Sequence, residues 1–309
     1  TQWSSSAASD VYKRQDQFLI NKKLMEKLIT KRNMLIERAI EKSNLKRDRF
    51  KSRGQLSPRE RLNAILDSDT FFLELYNMAN YLVEDTNPDT SIPGANLIAG
   101  IGYISGVKCM IMIDDSGIKA GAASEATIDK ALGCLDIALK QKLPCVHLVE
   151  SAGVDLPNYS VKLWSKFGSV FYKKAKLSAA GIPVIAILHG FSTAGGAYQI
   201  GMSDYVIGVK GNGMAALAGS ALLKAATGEN ATNSDIGGVE MHSVVTGSVE
   251  YLVNDDTESI VTVRKLIDQL NWNENDAQKT ILNFEDPEYP IEDLAGIVPT
   301  DYSLSLIHI

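Results

Sequence analysis

Cysteine, histidine and long apolar runs are all scarce in this chain of 309 residues, and each scarcity closes off a class of function. The three cysteines, Cys109, Cys134 and Cys145, lie far apart with no CxxC pair, which leaves neither a disulfide framework nor a zinc ribbon. The longest apolar runs, such as Pro183 to Leu188, are strand-length and fall well short of the roughly 20 residues that a membrane-spanning helix needs. Positive charge is in deficit. The 31 Lys and Arg stand against 37 Asp and Glu, a formal charge of −6, so no broad basic face is expected to grip nucleic acid. HExxH, the Walker loop and GxGxxG are absent, and with them the signatures of metalloprotease, P-loop and dinucleotide chemistry.

What is present is a water-soluble composition, 45% hydrophobic and 22% charged, with enough apolar material for one large core or two smaller ones. The first fifteen residues, TQWSSSAASDVYKRQ, have neither a signal-peptide apolar region nor helical periodicity, and SLSLIHI at the other end follows a linker. Segments 1–15 and 302–309 are therefore expected to be adapter sequence outside the fold. From Asp16 to about Ser43, Leu24, Leu28, Leu35 and Ala39 recur at helical spacing and predict an amphipathic arm over 16–55. Ser57-Pro58-Arg59-Glu60 is a capping box that opens a short helix to about Leu66.

Beyond Pro93-Gly94 the pattern turns to strand. Leu97 to Ile104, a Ser105-Gly106 turn and Val107 to Ile113 predict a hairpin. Helix from about Ser124 to Gln141, strand Cys145 to Val149, helix Val161 to Ala180 and strand Val184 to Leu188 then alternate. Strands this continuously apolar are expected to be covered on both faces, as in the mostly parallel sheet of an α/β fold. A helix from Ala194 to Met202, a strand from Asp204 to Val209, a short strand near Gly213 to Leu217, a helix from Gly219 to Ala226 and a last helix from about Asp256 to Leu270 complete the domain, 56–270. The acidic, proline-punctuated stretch 271–301 is read as a linker.

In an open α/β sheet, ligands collect past the carboxyl ends of the strands, which directs attention to the loops after Val149 and Leu188. The first reads Glu150-Ser151-Ala152-Gly153-Val154-Asp155; the second runs from His189 through Thr193-Ala194-Gly195-Gly196 into a helix. Free amides at a helix N-terminus favour a negative oxygen, and two such loops facing one another form an oxyanion hole. Neither Ser151 nor Ser192 lies in a GxSxG elbow, so a hydrolase nucleophile is not indicated. His147 reads as a core histidine, His242 as undecided between core and site, and His189 stands beside the second loop.

At these residues a family likeness appears. PVIAILHGFSTAGGAYQIGMSDYVI resembles the oxyanion-hole helix of the crotonase superfamily. Together with SPRERLNAILD, GIGYISGVKCMIMIDD, KLSAAGIPVIAI, LLKAATGE and DIGGVEMHSVVTGSVEYLVNDD, it makes the chain similar to the N-terminal half of a biotin-dependent acyl-CoA carboxylase β subunit of the methylcrotonyl-CoA, geranyl-CoA or propionyl-CoA type. The resemblance implies a crotonase-like ββα spiral. It places Ala152 and Gly153 as donors to a thioester oxygen, with Gly195 and Gly196 flanking or completing the hole. It adds Ser151, Thr193, Ala194, Gly121 and Lys119 as coenzyme A contacts, Lys119 toward a phosphate, and no metal ligand. Two departures stand out. The family's SGGA is Ser151-Ala152-Gly153-Val154 here, and its KGG loop is Lys119-Ala120-Gly121-Ala122.

The implied reaction moves a carboxyl group from carboxybiotin, carried on a separate domain, to an acyl-CoA through an enolate, with biotin's own ureido nitrogen able to take the proton. The implied partners are a biotin carboxylase/biotin carrier α subunit and further copies of a β subunit, in the cytoplasm or a mitochondrial matrix. Where the family's second half should begin the chain stops, so it is expected to be a fragment inactive on its own. Three alternatives stay open: a biotin-dependent decarboxylase, a stand-alone hydratase or isomerase using Glu150 and Asp155, and a non-catalytic coenzyme A-binding module.

Overall fold

A computed structural model of the chain describes residues 3–155, 158, 160–272 and 289–301, with side chains from residue 15 onward. The chain divides into two compact units, Arg38–Asp276 and the pair of segments Thr1–Glu37 and Ala277–Ile309.

Helix α1 spans Trp3–Asn44, thirteen residues earlier than the expected start at Asp16. No proline or glycine interrupts it. Once a nucleus exists, each further residue adds a hydrogen bond, so residues with no periodic pattern of their own extend a helix that its neighbours establish. Helices α2 (Arg47–Ser52) and α3 (Pro58–Ile65) follow. The α3 capping box is present in full: the Ser57 side chain accepts from the Glu60 amide, and the Glu60 carboxylate accepts from the Ser57 amide.

The main sheet has seven strands in the order β1 (Leu73–Glu74), β2 (Leu97–Ile104), β3 (Val107–Asp114), β4 (Cys145–Val149), β5 (Val184–Leu188), β7 (Tyr205–Val209) and β9 (Tyr251–Val253). It is antiparallel from β1 to β3 and parallel from β3 onward. The β2–β3 hairpin turns at Ser105 and Gly106, both at positive φ (51° and 75°), the geometry of a two-residue turn matched to strand twist. The Asp67 carboxylate accepts both of their amides and a guanidinium N–H of Arg264. A second, two-stranded parallel sheet joins β6 (Phe191–Thr193) to β8 (Met214–Ala216).

The parallel strands are covered on both faces. Along β3, Ile111 and Ile113 point into one core with Leu62 and Ile65 of α3 and Ile260, Val263 and Ile267 of α10 (Asp256–Gln269). Met110 and Met112 point into the other, with α4 (Glu125–Gln141) and α5 (Val161–Ala179). The expected α/β architecture, its hairpin and its alternation are thus present. Helix α6 (Gly195–Gly201) starts at the second glycine loop, and α7 (Ser220–Thr227) follows β8. Among the described residues, the elements not anticipated include α2, β1, β6, β9, α8 (Asn233–Gly237), α9 (Val239–Met241) and a π-helical turn at His242–Thr246. Nor is Asp256–Gln269 the last helix. Within the expected linker a 3-10 turn, Ile291–Asp293, leads into α11 (Leu294–Ile297). The Asn21 amide donates to the Gly296 carbonyl at 3.2 Å, so tertiary contact orders a segment whose composition reads as linker. Residues 273–288 and 302–309, also expected to lie outside the domain, are beyond the described residues. Among the described residues no helix is long and apolar enough to cross a membrane.

Two lysines lie inside this fold, Lys130 on α4 and Lys174 on α5. Burial lowers both from the ordinary 10.5 to about 8. Between about pH 8 and 10.5 the unfolded chain therefore holds protons that the folded chain has released, and stability rises with pH. The thiols act oppositely. Burial raises Cys145 from 9.0 to about 11 and Cys134 to about 12, and Cys109 rises further still. Above pH 9 the folded chain keeps protons that the unfolded chain loses. Three thiols outweigh two lysines there, so urea midpoints measured in reductant are expected to climb above pH 8, peak near pH 9 and decline beyond it. A profile that falls steadily from pH 8 would show that the lysines are not buried in this way.

Candidate functional site

Strands β4 and β5 run side by side, with Val149 opposite Leu188, so the two glycine-bearing loops leave the sheet at the same edge. They touch. The Thr193 amide donates to the Ser151 carbonyl at 3.0 Å, and a Cβ placed on Gly153 would lie 3.1 Å from the Thr193 carbonyl oxygen. All the loop positions singled out from the sequence, Ser151, Ala152, Gly153, Thr193, Ala194, Gly195 and Gly196, are brought together.

The loops differ in the amides they leave open. In the first, the Ala152 amide donates to the Ala120 carbonyl at 3.2 Å and the Gly153 amide donates to Ser151 Oγ at 3.2 Å. Ser151 Oγ in turn donates to the Gly121 carbonyl at 2.8 Å, so Gly121 holds the loop by its backbone. In the second, Ala194 sits at φ 49°, ψ −120°, a strained conformation for alanine, and its amide donates to the Ala216 carbonyl at 2.9 Å. This kink turns the chain from β6 into α6. Gly195 and Gly196 then form the first turn, both residues are buried, and among the described residues neither amide has an acceptor. The resemblance put the donors at Ala152 and Gly153 with Gly195 and Gly196 flanking or completing the hole; among the described residues the first two amides are engaged and the second two are open.

Below the loops, Gly121, Ser151 and Gly196 border a cavity of about 40 Å³ whose apolar wall includes Ile128 and Phe167. That volume holds a group of a few atoms. His147 and Asp114 close its polar side. His147 Nε2 lies 3.1 Å from Asp114 Oδ1, and Nδ1 lies 3.3 Å from Lys174 Nζ. With both ring nitrogens engaged and its pKa lowered by burial, His147 is the core histidine the sequence suggested. His242 meets the Ala215 carbonyl at 2.7 Å and the Thr246 hydroxyl at 3.0 Å.

Lys119 lies apart from the loops' open amides, on a larger pocket of about 530 Å³, within the range of small-molecule sites. Its ammonium meets Glu84 at 2.9 Å and Asp155 at 3.3 Å. Burial alone would lower its pKa, and the two carboxylates overcome this and raise it. Its charge is thus paired within the chain, on a side chain 46% exposed. Asp155 is committed to that pair, and Glu150 is buried against Arg61 at 3.1 Å. Both carboxylates named for the hydratase alternative are thus ion-paired.

Arg61 and Asp256 were not among the residues singled out from the sequence. Arg61 is fully buried on α3, where its Nη1 meets Glu150 and its Nε meets Asp256 Oδ2 at 2.9 Å. Asp256 Oδ1 reaches His189 Nδ1 at 2.7 Å. Burial works against the Asp256 charge, but His189 and Arg61 outweigh it and hold the carboxyl well below its usual range. Burial first, and then the Arg61 charge, lower the His189 pKa against the opposing pull of Asp256. One signal was available: Pro58, Arg61, Leu62 and Ile65 occupy positions i, i+3, i+4 and i+7, which puts an arginine in the apolar stripe of α3.

A family model described as the carboxyl transferase domain matches residues 49–305. A probable biotin-dependent acyl-coenzyme A carboxylase beta2 subunit of Mycobacterium tuberculosis is 40% identical over 82% of this chain and 46% of its own length. A mitochondrial methylcrotonoyl-CoA carboxylase beta chain of Dictyostelium discoideum is 38% identical over 81% of this chain and 42% of its own. Among solved structures, the geranyl-CoA carboxylase beta subunit of P. aeruginosa superposes with a TM-score of 0.82 at 39% identity, covering 92% of this chain and 52% of the other. The chain spans about half the length of the relatives it matches.

Proposed function

The chain belongs to the carboxyl transferase domain family, and on that premise we propose that it is the acyl-CoA side of a carboxyltransferase, in which the amides of Gly195 and Gly196 hold the thioester carbonyl oxygen while the adjacent carbon becomes a carbanion equivalent. The observation that carries this reading is the pair of buried amides at the loop junction that have no acceptor among the described residues. An unpaired buried N–H costs free energy unless a ligand oxygen satisfies it. As the enolate forms, negative charge builds on that oxygen, and donors already aligned in a buried site stabilise it most where the charge is greatest.

Gly153 is the third donor. Its present acceptor is the Ser151 hydroxyl, which a rotation about χ1 withdraws, whereas the Ala152 amide is tied to a backbone carbonyl and stays where it is. The 40 Å³ cavity beside Gly196 receives the part of the acyl group next to the carbonyl. Supporting a proton acceptor from outside this chain, His147 is held by Asp114 and Lys174 and Glu150 by Arg61, while His189 is held at Nδ1 by Asp256. Biotin supplies the carboxyl group when its carrier is docked. We place that carrier on an α-type partner and the remaining half of the active site on sequence beyond this chain, within an oligomer of β subunits. The cytoplasm or a mitochondrial matrix is the compartment, the latter suggested by a relative named as mitochondrial.

Calorimetry of the purified chain with a panel of coenzyme A thioesters, against free coenzyme A, tests the reading. At least one acyl class is expected to bind more tightly than free coenzyme A. A folded chain that binds no thioester better than coenzyme A would show that this half alone does not hold the carbonyl.

A further inference from the structure

We infer that Arg61 is a positioning residue that locks the two site loops to one another, so that the separation between the first loop and the amides of Gly195 and Gly196 is set by one guanidinium. The inference rests on the oxyanion-site reading above and adds to it a residue that touches no substrate.

The wiring is short. Glu150 is the residue immediately before Ser151 of the first loop, and His189 is the residue immediately before Gly190 of the second. Arg61 Nη1 holds Glu150 Oε2 at 3.1 Å. Arg61 Nε holds Asp256 Oδ2 at 2.9 Å, and Asp256 Oδ1 holds His189 Nδ1 at 2.7 Å. The entry residue of each loop is thus fixed to the same side chain, which comes from α3, outside both loops. The Leu56 amide also donates to Asp256 Oδ2, and Gln55 Nε2 donates to the His189 carbonyl, so the segment leading into α3 clamps the same point. Contact between the loops runs through this cluster as well: a Cβ placed on Gly190 would lie 2.7 Å from Glu150 Cδ, so the carboxylate is wedged against the first residue of the second loop.

A purely stabilising role fits poorly. Well-packed apolar residues hold a core at least as firmly as buried ion pairs, which cost desolvation. Among the described residues Arg61 Nη2 and His189 Nε2 are buried without hydrogen-bond partners, which a cluster serving stability alone would be expected to satisfy. What the charges supply is direction. A planar fork fixes two carboxylates at set angles, and lysine cannot reproduce it.

The test measures the carbonyl rather than the fold. A thioester carrying a 13C-labelled carbonyl is bound to the chain and its stretching frequency is read by infrared difference spectroscopy. Affinities for the thioester and for the matching thioether, which lacks the carbonyl oxygen, are measured alongside. On the wild-type chain the carbonyl band is expected to move to lower frequency than in solution. In Arg61→Lys the displacement should shrink or vanish, and thioester affinity should fall about tenfold toward that of the thioether, whose own binding is unchanged. Should Arg61→Lys not fold, Glu150→Gln and Asp256→Asn each cut one arm of the fork and are each expected to reduce the displacement. A full wild-type displacement in folded Arg61→Lys, or in both single-arm variants, overturns the positioning role while leaving the oxyanion reading intact. An undisplaced carbonyl on the wild-type chain overturns both.

Discussion

Arg61→Met is expected to destabilise the fold by about 3–5 kcal/mol, read as a drop in the urea midpoint. The size follows from what remains behind. Glu150 and Asp256 are both buried, and Arg61 is the arginine that pairs with both. Methionine fills much of the volume but leaves two carboxylates facing each other in a site that water does not reach. They must then be protonated or drag water inward, and either costs free energy. Arg47→Met provides the contrast. That arginine pairs with Glu60 at 3.1 Å, but the two side chains are 56% and 43% exposed, and such pairs contribute about 0–1 kcal/mol. If the two variants unfold at the same urea concentration, the buried cluster is not under the electrostatic load described.

Gly196→Pro is expected to lower thioester affinity by about tenfold or more, toward that of free coenzyme A. Two effects combine. Proline has no N–H, so one of the two open donors is gone. Its ring also occupies space the loops do not have, because a Cβ at Gly196 already meets the Ser151 carbonyl oxygen at 3.0 Å and Ser151 Cβ at 3.1 Å. The first turn of a helix tolerates proline, and α6 begins at Gly195, so the helix itself has little to lose. Gly201→Ala, at the other end of α6, is the matched control. A Cβ there meets nothing within 4 Å, and neither fold nor binding is expected to suffer. Equal thioester binding by Gly196→Pro and Gly201→Ala would place the carbonyl elsewhere.

Local signals carried far into this fold. Ser57 and Glu60 announce α3 because a capping box is complete within four residues. Ser105-Gly106 announces the hairpin because both positions must adopt positive φ. Strands β4 and β5 have the bounds that their apolar runs suggested, Cys145–Val149 and Val184–Leu188, since strands covered on both faces are almost wholly apolar, with His147 the one polar exception. The strands that escaped notice are the short ones. Two-residue β1 and three-residue β6 and β9 exist because a neighbouring strand supplies hydrogen bonds, and no pattern of two or three residues can signal that by itself.

The site divides along the same line. The sequence alone determined that two glycine-bearing loops follow adjacent buried strands, since that needs only strand, turn and helix signals in order. Tertiary structure decided which amides remain open, because that depends on where other carbonyls fall: Ala120 claims Ala152, and nothing among the described residues claims Gly195 or Gly196. It decided too that Lys119 is neutralised by Glu84 and Asp155, 35 and 36 residues away. The farthest-reaching case is Arg61, whose partners Glu150 and Asp256 lie 89 and 195 residues along the chain. Hydrophobic periodicity is written residue by residue, because each side chain meets the core or water on its own account. Charge satisfaction is a property of pairs, and only the folded chain determines which groups become pairs.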